Sequence, residues 1–256
     1  MPIFANNSRA ALPPRRLPAP GTVHLWSVAL EGDAYLIRHF LPRLSEDEKL
    51  RAARYHFPLH RNRWVVSRYA LRGILAGYAA VSPESLIFRT GEYGKPELAN
   101  AYGPVRLHFN LAHSGDQAVL AVARNEVGID IETINPEVPW QSLAPQVLSR
   151  QEYESWMRFP EELRRHLFFR IWTAKEAYLK ARGLGLSMPL GAFSVPVNES
   201  EEIGIVSVDP SSSDGKNWVL YRVPTDTRYA ATLAYPDTRI RRLAFEWKDT
   251  APTLSV

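Results

Sequence analysis

Gly128-Ile129-Asp130-Ile131-Glu132 and, further along, Trp172-Thr173-Ala174-Lys175-Glu176-Ala177-Tyr178-Leu179-Lys180 decide how this chain is read. In the first stretch apolar and acidic residues alternate. Side chains alternate across a strand, so Val127, Ile129 and Ile131 face one way and Asp130 and Glu132 the other. Like-faced neighbours lie about 6.5–7 Å apart, and two carboxylates at that distance repel by roughly 2–3 kcal/mol at an effective dielectric of about 20. A divalent cation between them reverses the sign, and Mg²⁺ accepts one or two carboxylates together with waters and phosphate oxygens. A solvated acidic face on an edge strand is the plainer alternative. In the second stretch Glu176 and Lys180 share a helix face with Thr173, while Ile171, Ala174, Tyr178 and Ala181 form the apolar side. An ordinary surface ion pair explains that face. The sharper reading makes Glu176 a third metal ligand and Lys180 a phosphate contact.

Working outward, the spacing predicts a strand at residues 127–133 and helices at 140–157 and 161–182, the latter stopped by Gly183 and Gly185. Strands are expected near 192–196, 203–208, 218–223, 228–235 and 241–247, with a turn at 209–215. On the other side, His24 to Leu30 alternates like a half-buried strand. Ser45-Glu46-Asp47-Glu48 is a capping box opening a helix over 46–56. A longer helix follows over 59–80, then strands at 86–89, 105–110 and 117–124. The two halves rhyme: Arg63-Trp64 opens an apolar helix reaching Leu71-Arg72, and Ile171-Trp172 opens one reaching Leu179-Lys180. The expected division is a flexible Pro-rich leader at 1–21, an N-terminal half at 22–124 and a C-terminal half at 125–256, with a ligand cleft between the halves.

Three further signals accompany the acidic strand. Tyr93-Gly94-Lys95-Pro96 reads as a turn. His108-Phe109-Asn110-Leu111-Ala112-His113-Ser114-Gly115 reads as a strand whose tip presents hydrogen-bonding groups. From Lys49 to Arg72 the chain carries Lys49, Arg51, Arg54, Arg61, Arg63, Arg68 and Arg72 with no acid. Such one-sided charge suits phosphate recognition or a solvated basic face.

The 256 residues are 45% hydrophobic and 23% charged, which excludes a disordered or fibrous chain. There is no cysteine, which excludes disulfide scaffolds and thiol catalysis and fits a reducing compartment. No apolar run approaches the ~18–20 residues of a membrane helix, and no secretory leader is visible. The expectation is a cytoplasmic protein without a membrane partner. A net charge of +4 suggests an anionic partner.

Taken together and in this order, Tyr93-Gly94-Lys95-Pro96, Phe109 to Ser114, Gly128 to Glu132, Trp172 to Lys180 and Gly183-Leu184-Gly185-Leu186 make the chain resemble the 4′-phosphopantetheinyl transferases of the surfactin-synthetase-activating type, over residues 24 to 240. The resemblance implies an α+β fold of two similar halves related by pseudo-two-fold symmetry, with coenzyme A in the cleft between them. It implies Mg²⁺-dependent transfer of the 4′-phosphopantetheine arm to a serine of an acyl or peptidyl carrier protein, with release of adenosine 3′,5′-bisphosphate. It puts Asp130, Glu132 and Glu176 on the metal, Lys180 on the pyrophosphate and Lys95 on coenzyme A. His113 and Arg63 fall on the 3′-phosphate, and Glu152 on a residue that acts as general base. Ser149-Arg150-Gln151-Glu152 is also a capping box, in which Glu152 serves only to accept from the Ser149 N–H. Ala112 stands where the family carries serine, and Pro145 is expected to interrupt the helical stretch at 140–148. The implied molecule is a monomer that does not bind nucleic acid. Two alternatives stand beside it. A nucleic-acid-binding module would use the arginine-rich helices but leave three carboxylates unexplained. Another Mg²⁺-dependent phosphoryl-transfer enzyme would share the metal site alone.

Overall fold

The computed structural model describes residues 9–10, 17–32, 34–100, 102, 106–197, 202–205, 218–236 and 239–247. The element order is β1 (Arg9–Ala10), β2 (Thr22–Ala29), α1 (Ala34–Phe40), α2 (Glu46–Ala53), α3 (Pro58–Ala79), β3 (Phe88–Thr90), β4 (Pro96–Leu98), β5 (His108–Ser114) and β6 (Gln117–Ala123). Then come β7 (Gly128–Thr133), α4 (Trp140–Val147), α5 (Arg150–Trp156), α6 (Glu161–Arg182), β8 (Glu202–Ile205), β9 (Val219–Arg222), β10 (Tyr229–Tyr235) and β11 (Arg241–Glu246).

The architecture is α+β and duplicated. Each half opens on a strand (β2, β7), continues through three helices and closes with an antiparallel hairpin (β5–β6, β9–β10). The hairpin's second strand returns to pair with the opening strand. The third helix has 22 residues in both halves. The sheets run β1-β11-β2-β6-β5 and β7-β10-β9-β8. Their inner faces meet in an apolar layer that includes Val23, Leu25, Val119, Ala121, Ile129, Ile131 and Leu233. The outer faces carry the long helices. Trp26, Val28 and Leu120 share a core with Leu71, Ile74 and Leu75 of α3, and Leu220, Ala230 and Ala234 share one with Ala174, Ala177 and Tyr178 of α6. Strict alternation on β2 and β7 thus serves two buried faces at once.

The halves are stitched where β5 lies beside β7. The β7 backbone would otherwise present unpaired donors there. Asn110 Oδ1 accepts from the Ile129 N–H (2.8 Å) and Ser114 Oγ from the Thr133 N–H (3.0 Å). The last strand does not follow the division drawn at Arg124-Asn125. β11 adds to the first sheet, parallel to β2, and β1 pairs with β11 in turn.

Several local expectations need correction. The stretch 140–157 is two helices, because Ser149 forms a capping box that starts α5 afresh. Pro145 does not interrupt α4, which runs through it to Val147. Residues 192–196 are not a strand: a 3₁₀ turn at Leu190–Ala192 leads into extended chain. The strand expected at 105–110 begins at His108 and continues to Ser114, so the histidine-bearing motif lies within it. The helix rhyme holds in a different register. Aligned from their first residues, α3 and α6 set Tyr69, not Trp64, opposite Trp172. The turn expected at 209–215 and most of the leader lie outside the described residues.

Candidate active site

Gly128 sets the distance between strand and helix. A Cβ there would lie 2.0 Å from the Ala177 carbonyl oxygen and 2.4 Å from the Ala181 nitrogen, so only glycine lets α6 rest on β7. That contact brings the polar face of α6 over the acidic face of β7. Lys180 Nζ lies 2.5 Å from Asp130 Oδ1. Asp130 is 2% exposed, and its second oxygen, Oδ2, is buried without a hydrogen-bond partner. Burial pushes the Asp130 carboxyl up to about 7, Lys180 pulls it back, and the Glu132 and Glu176 charges add to the rise. Glu132 is raised in the same way, first by burial, and its Oε2 accepts from Ser114 Oγ (2.9 Å). Burial works against the Lys180 ammonium, but Asp130, Glu176 and Glu132 together hold it above the usual lysine range. Glu176 is half-buried, one helical turn before Lys180. Asp130, Glu132, Glu176 and Lys180 therefore form one electrostatic unit.

Among the described residues, no three acidic or histidine side chains are drawn into a ready metal shell. Their chemistry nevertheless fits a hard cation. Three carboxylates face a single lysine, two of them held away from their charged form, and Asp130 Oδ2 has no partner to satisfy it. A divalent cation on oxygen ligands removes all three penalties.

Next to this cluster, at the end of β5, stands His113. Desolvation lowers its imidazole first, and the positive charges of Lys180, Arg51 and Arg63 lower it further, which places it among them. His113 and Arg63 line a cavity of 140 Å³ with Tyr55, His60 and Trp64. His113 and Trp64 also line a larger cleft of 590 Å³ between α3 and the β3–β4 hairpin. The pair expected on one phosphate is thus brought together.

Two expected site residues are placed elsewhere. Lys95 sits at the tip of the β3–β4 hairpin. Its Nζ donates to the Val127 and Ala181 carbonyls, both at 3.0 Å, and burial pulls it down to about 8. It ties the hairpin to the start of β7 and the end of α6, which explains why the Tyr93-Gly94-Lys95-Pro96 and Gly183-Leu184-Gly185 motifs go together. Glu152 is 1% exposed. The Ser149 and Val195 N–H groups donate to it, both at 2.6 Å, and Lys175 Nζ lies 2.5 Å from Oε2. It takes no part in the contacts of the acidic cluster.

The basic run is also divided. Arg68 and Arg72 are buried on Glu48, the residue just before the run. Arg68 Nη2 lies 2.6 Å from Oε1 and Arg72 Nε 2.7 Å from Oε2. Burial works to raise Glu48, but the two guanidiniums and the Ser45 N–H outweigh it and hold its carboxyl below the usual range. Arg51, with Cζ 4.5 Å from the Trp64 ring centre, is exposed on the same rim as Arg63. Glu48 lies one position before the basic run and so outside it. Ser114, which orients Glu132, and Lys175 lie within the motifs, but the motifs alone assign them no role. The alternation on β5 that puts Ser114 toward β7 was the signal for the first.

Residues 126–234 match the model of the 4′-phosphopantetheinyl transferase superfamily, and residues 34–125 match that of the 4′-phosphopantetheinyl transferase N-terminal region. Among curated proteins the chain is 35% identical over 224 residues to 4′-phosphopantetheinyl transferase HetI of Nostoc sp., covering 87% of this chain and 91% of that one. It is 34% identical to 4′-phosphopantetheinyl transferase psf-1 of Bacillus pumilus, over 64% of this chain and 68% of that one. It is 27% identical to 4′-phosphopantetheinyl transferase Sfp of Bacillus subtilis, over 77% and 85%. With the duplicated α+β halves and the acidic cluster at their junction, these matches make the chain a member of the 4′-phosphopantetheinyl transferase superfamily, of the Sfp type.

Proposed function

We propose that the chain uses Mg²⁺, held by Asp130, Glu132 and Glu176, to move the 4′-phosphopantetheine arm of coenzyme A onto a serine of an acyl or peptidyl carrier protein, releasing adenosine 3′,5′-bisphosphate. The observation that carries the metal assignment is the buried, unpartnered Asp130 Oδ2 inside a cluster of three carboxylates. When bound, the cation neutralises the pyrophosphate and stabilises charge in an in-line displacement. His113 and Arg63 hold the 3′-phosphate at the mouth of the cleft through charge-assisted hydrogen bonds. Lys180 is drawn from the Asp130 carboxylate toward the pyrophosphate. The carrier serine oxygen forms a bond to the phosphorus bearing the pantetheine arm as the bond to the bridging oxygen breaks, and the serine proton is taken up at the acidic cluster. An acidic carrier suits a chain of net charge +4.

Nucleic acid is not the partner in this reading: two of the arginines that suggested it are spent on Glu48. Among the described residues no helix is long and apolar enough to cross a membrane, and we place the enzyme in the cytoplasm as a monomer whose two halves, divided at 124/125 except that β11 returns to the first sheet, together make one cleft. The test is to incubate the protein with coenzyme A, Mg²⁺ and an apo-carrier protein, then weigh the carrier. A gain of one phosphopantetheine that requires Mg²⁺ supports the reading, and transfer undiminished by a chelator removes the metal from it.

A further inference from the structure

The geometry points to Glu152 and Lys175 as a positioning pair that fixes α6, and with it Glu176 and Lys180, over β7. We infer that Glu152 orders the site through Lys175 and accepts no proton from the substrate, an inference that rests on the transfer reaction proposed above.

Four observations carry it. Glu152 and Lys175 are 1% and 0% exposed, so no carrier serine reaches either of them. The Glu152 carboxylate is committed to three donors: Ser149 N–H and Lys175 on Oε2, and Val195 N–H on Oε1. Lys175 is equally committed. Its Nζ donates to the carbonyls of Val147 (3.0 Å), Leu190 (2.7 Å) and Phe193 (2.8 Å). One ammonium therefore ties the end of α4, the start of α5 and the turn after residue 189 to the middle of α6, at the residue before Glu176.

The fourth observation comes from the other half. Ser45 and Glu48 form the same capping box at the start of α2, and Glu48 binds a cation of the long helix, Arg72. When α3 and α6 are aligned from their first residues, Arg72 falls opposite Lys175. The capping carboxylate and its helix cation thus recur in the half that carries no acidic cluster. A device present with and without the site belongs to the framework that holds the long helix, and only in the C-terminal half does that helix bear Glu176 and Lys180.

The two roles separate in a rescue experiment. Glu152→Gln keeps an acceptor for one backbone N–H but leaves the Lys175 ammonium buried without its counter-ion. Lys175→Gln removes that charge and keeps two donors for the carbonyls. We expect Glu152→Gln to lower the melting temperature and to cut kcat by about tenfold to a hundredfold. The double variant Glu152→Gln/Lys175→Gln should recover both, to within about fivefold of the parent kcat, with the pH profile of kcat unchanged in shape. General-base help contributes ~10²–10⁴-fold and removing a lysine cannot restore it. A double variant that regains its melting temperature yet stays ~10²-fold slow, with the basic group gone from its pH profile, overturns the inference. If the double variant does not fold, hydrogen exchange of α6 in Glu152→Gln decides. Faster exchange around residues 174–180 supports positioning, and parental exchange with lost turnover contradicts it. Parent enzyme run alongside separates this from failure of the transfer reading itself, since a parent that loads no carrier loses the reaction and not the pair.

Discussion

The two halves of the molecule use the same scaffold to opposite ends. Pairing β2 to β6 and β7 to β10 in register, and α3 to α6 from their first residues, sets Trp26 opposite Asp130, Val28 opposite Glu132, Gly73 opposite Glu176 and Gly77 opposite Lys180. The same alignment sets His24 opposite Gly128 and Tyr78 opposite Ala181. In the N-terminal half His24 Nδ1 and Tyr78 Oη are 2.6 Å apart and the Trp26 indole N–H also donates to Tyr78, so two bulky side chains hold the helix off the strand. Trp247, just after β11, fills the space over Gly73. In the C-terminal half Gly128 and Ala181 let helix and strand touch, and the charged residues meet across that contact. Duplication supplied two equivalent surfaces. One is filled with aromatic rings, and the other remains a polar cleft.

The comparison is broken most severely by removing a cluster carboxylate. Asp130→Ala or Glu176→Ala should cut transfer by about 10²–10³-fold or more, while thermal unfolding shows the fold intact, because losing one carboxylate relieves repulsion. Either variant turning over at the parental rate at low Mg²⁺ removes that residue from the site.

Gly128→Ala tests the close approach itself. Its Cβ meets backbone atoms of α6, so the helix must move. Overpacking costs about 1–3 kcal/mol, occasionally more, and denaturant unfolding should show a loss at the top of that range together with lost turnover. Gly73→Ala meets the Trp247 ring first, at 2.6 Å, and that ring can shift. It should cost less and leave transfer nearly intact. Equal losses of turnover in the two variants would contradict the asymmetry.

The spacer in the N-terminal half has a pH signature. Burial lowers the His24 imidazole to about 4 from its usual 6.5. Between those values the unfolded chain takes up a proton that the folded chain refuses, so stability falls as pH drops from 6.5 toward 4. The full span is worth about 3 kcal/mol. Urea unfolding across that window should show the loss, and His24→Gln should reduce it. A slope unchanged in the variant assigns the acid sensitivity to other groups.

The smallest effect sharpens the division of labour within the cleft. His113→Ala should lower the preference for coenzyme A over 3′-dephospho-coenzyme A by about tenfold to a hundredfold, since a charge-assisted contact contributes roughly 1.5–3 kcal/mol. The ratio of transfer efficiencies for the two donors measures it, and an unchanged ratio takes His113 off the 3′-phosphate.

What the sequence made legible was local. The capping boxes at Ser45 and Ser149, the alternation over Val127 to Glu132 and the long helix ending at Gly183 are all short-range patterns, and all appear. That Asp130 and Glu132 share one face, and Glu176 and Lys180 another, was legible because a strand and a helix each have a fixed period; that the two faces meet was expected only from the family resemblance. The rest depended on partners far away in the chain. β11 pairs with β2 across the whole length of the molecule, and nothing in residues 241–246 announces that neighbour. α1 at Ala34–Phe40 and the short β4 carry too little periodicity to stand out. Lys95 is expected on coenzyme A only through the family resemblance, since the turn by itself says nothing of its partner. Only the fold shows the two carbonyls that bury it.

The central claim is that the three carboxylates gathered at β7 and α6 share one cation. Calorimetric titration of Mg²⁺ into the protein saturated with coenzyme A tests it without turnover. The parent should bind one Mg²⁺, and Asp130→Ala should weaken that binding by at least about 100-fold while leaving coenzyme A affinity in the absence of metal close to parental. Undiminished Mg²⁺ affinity in Asp130→Ala would contradict the account.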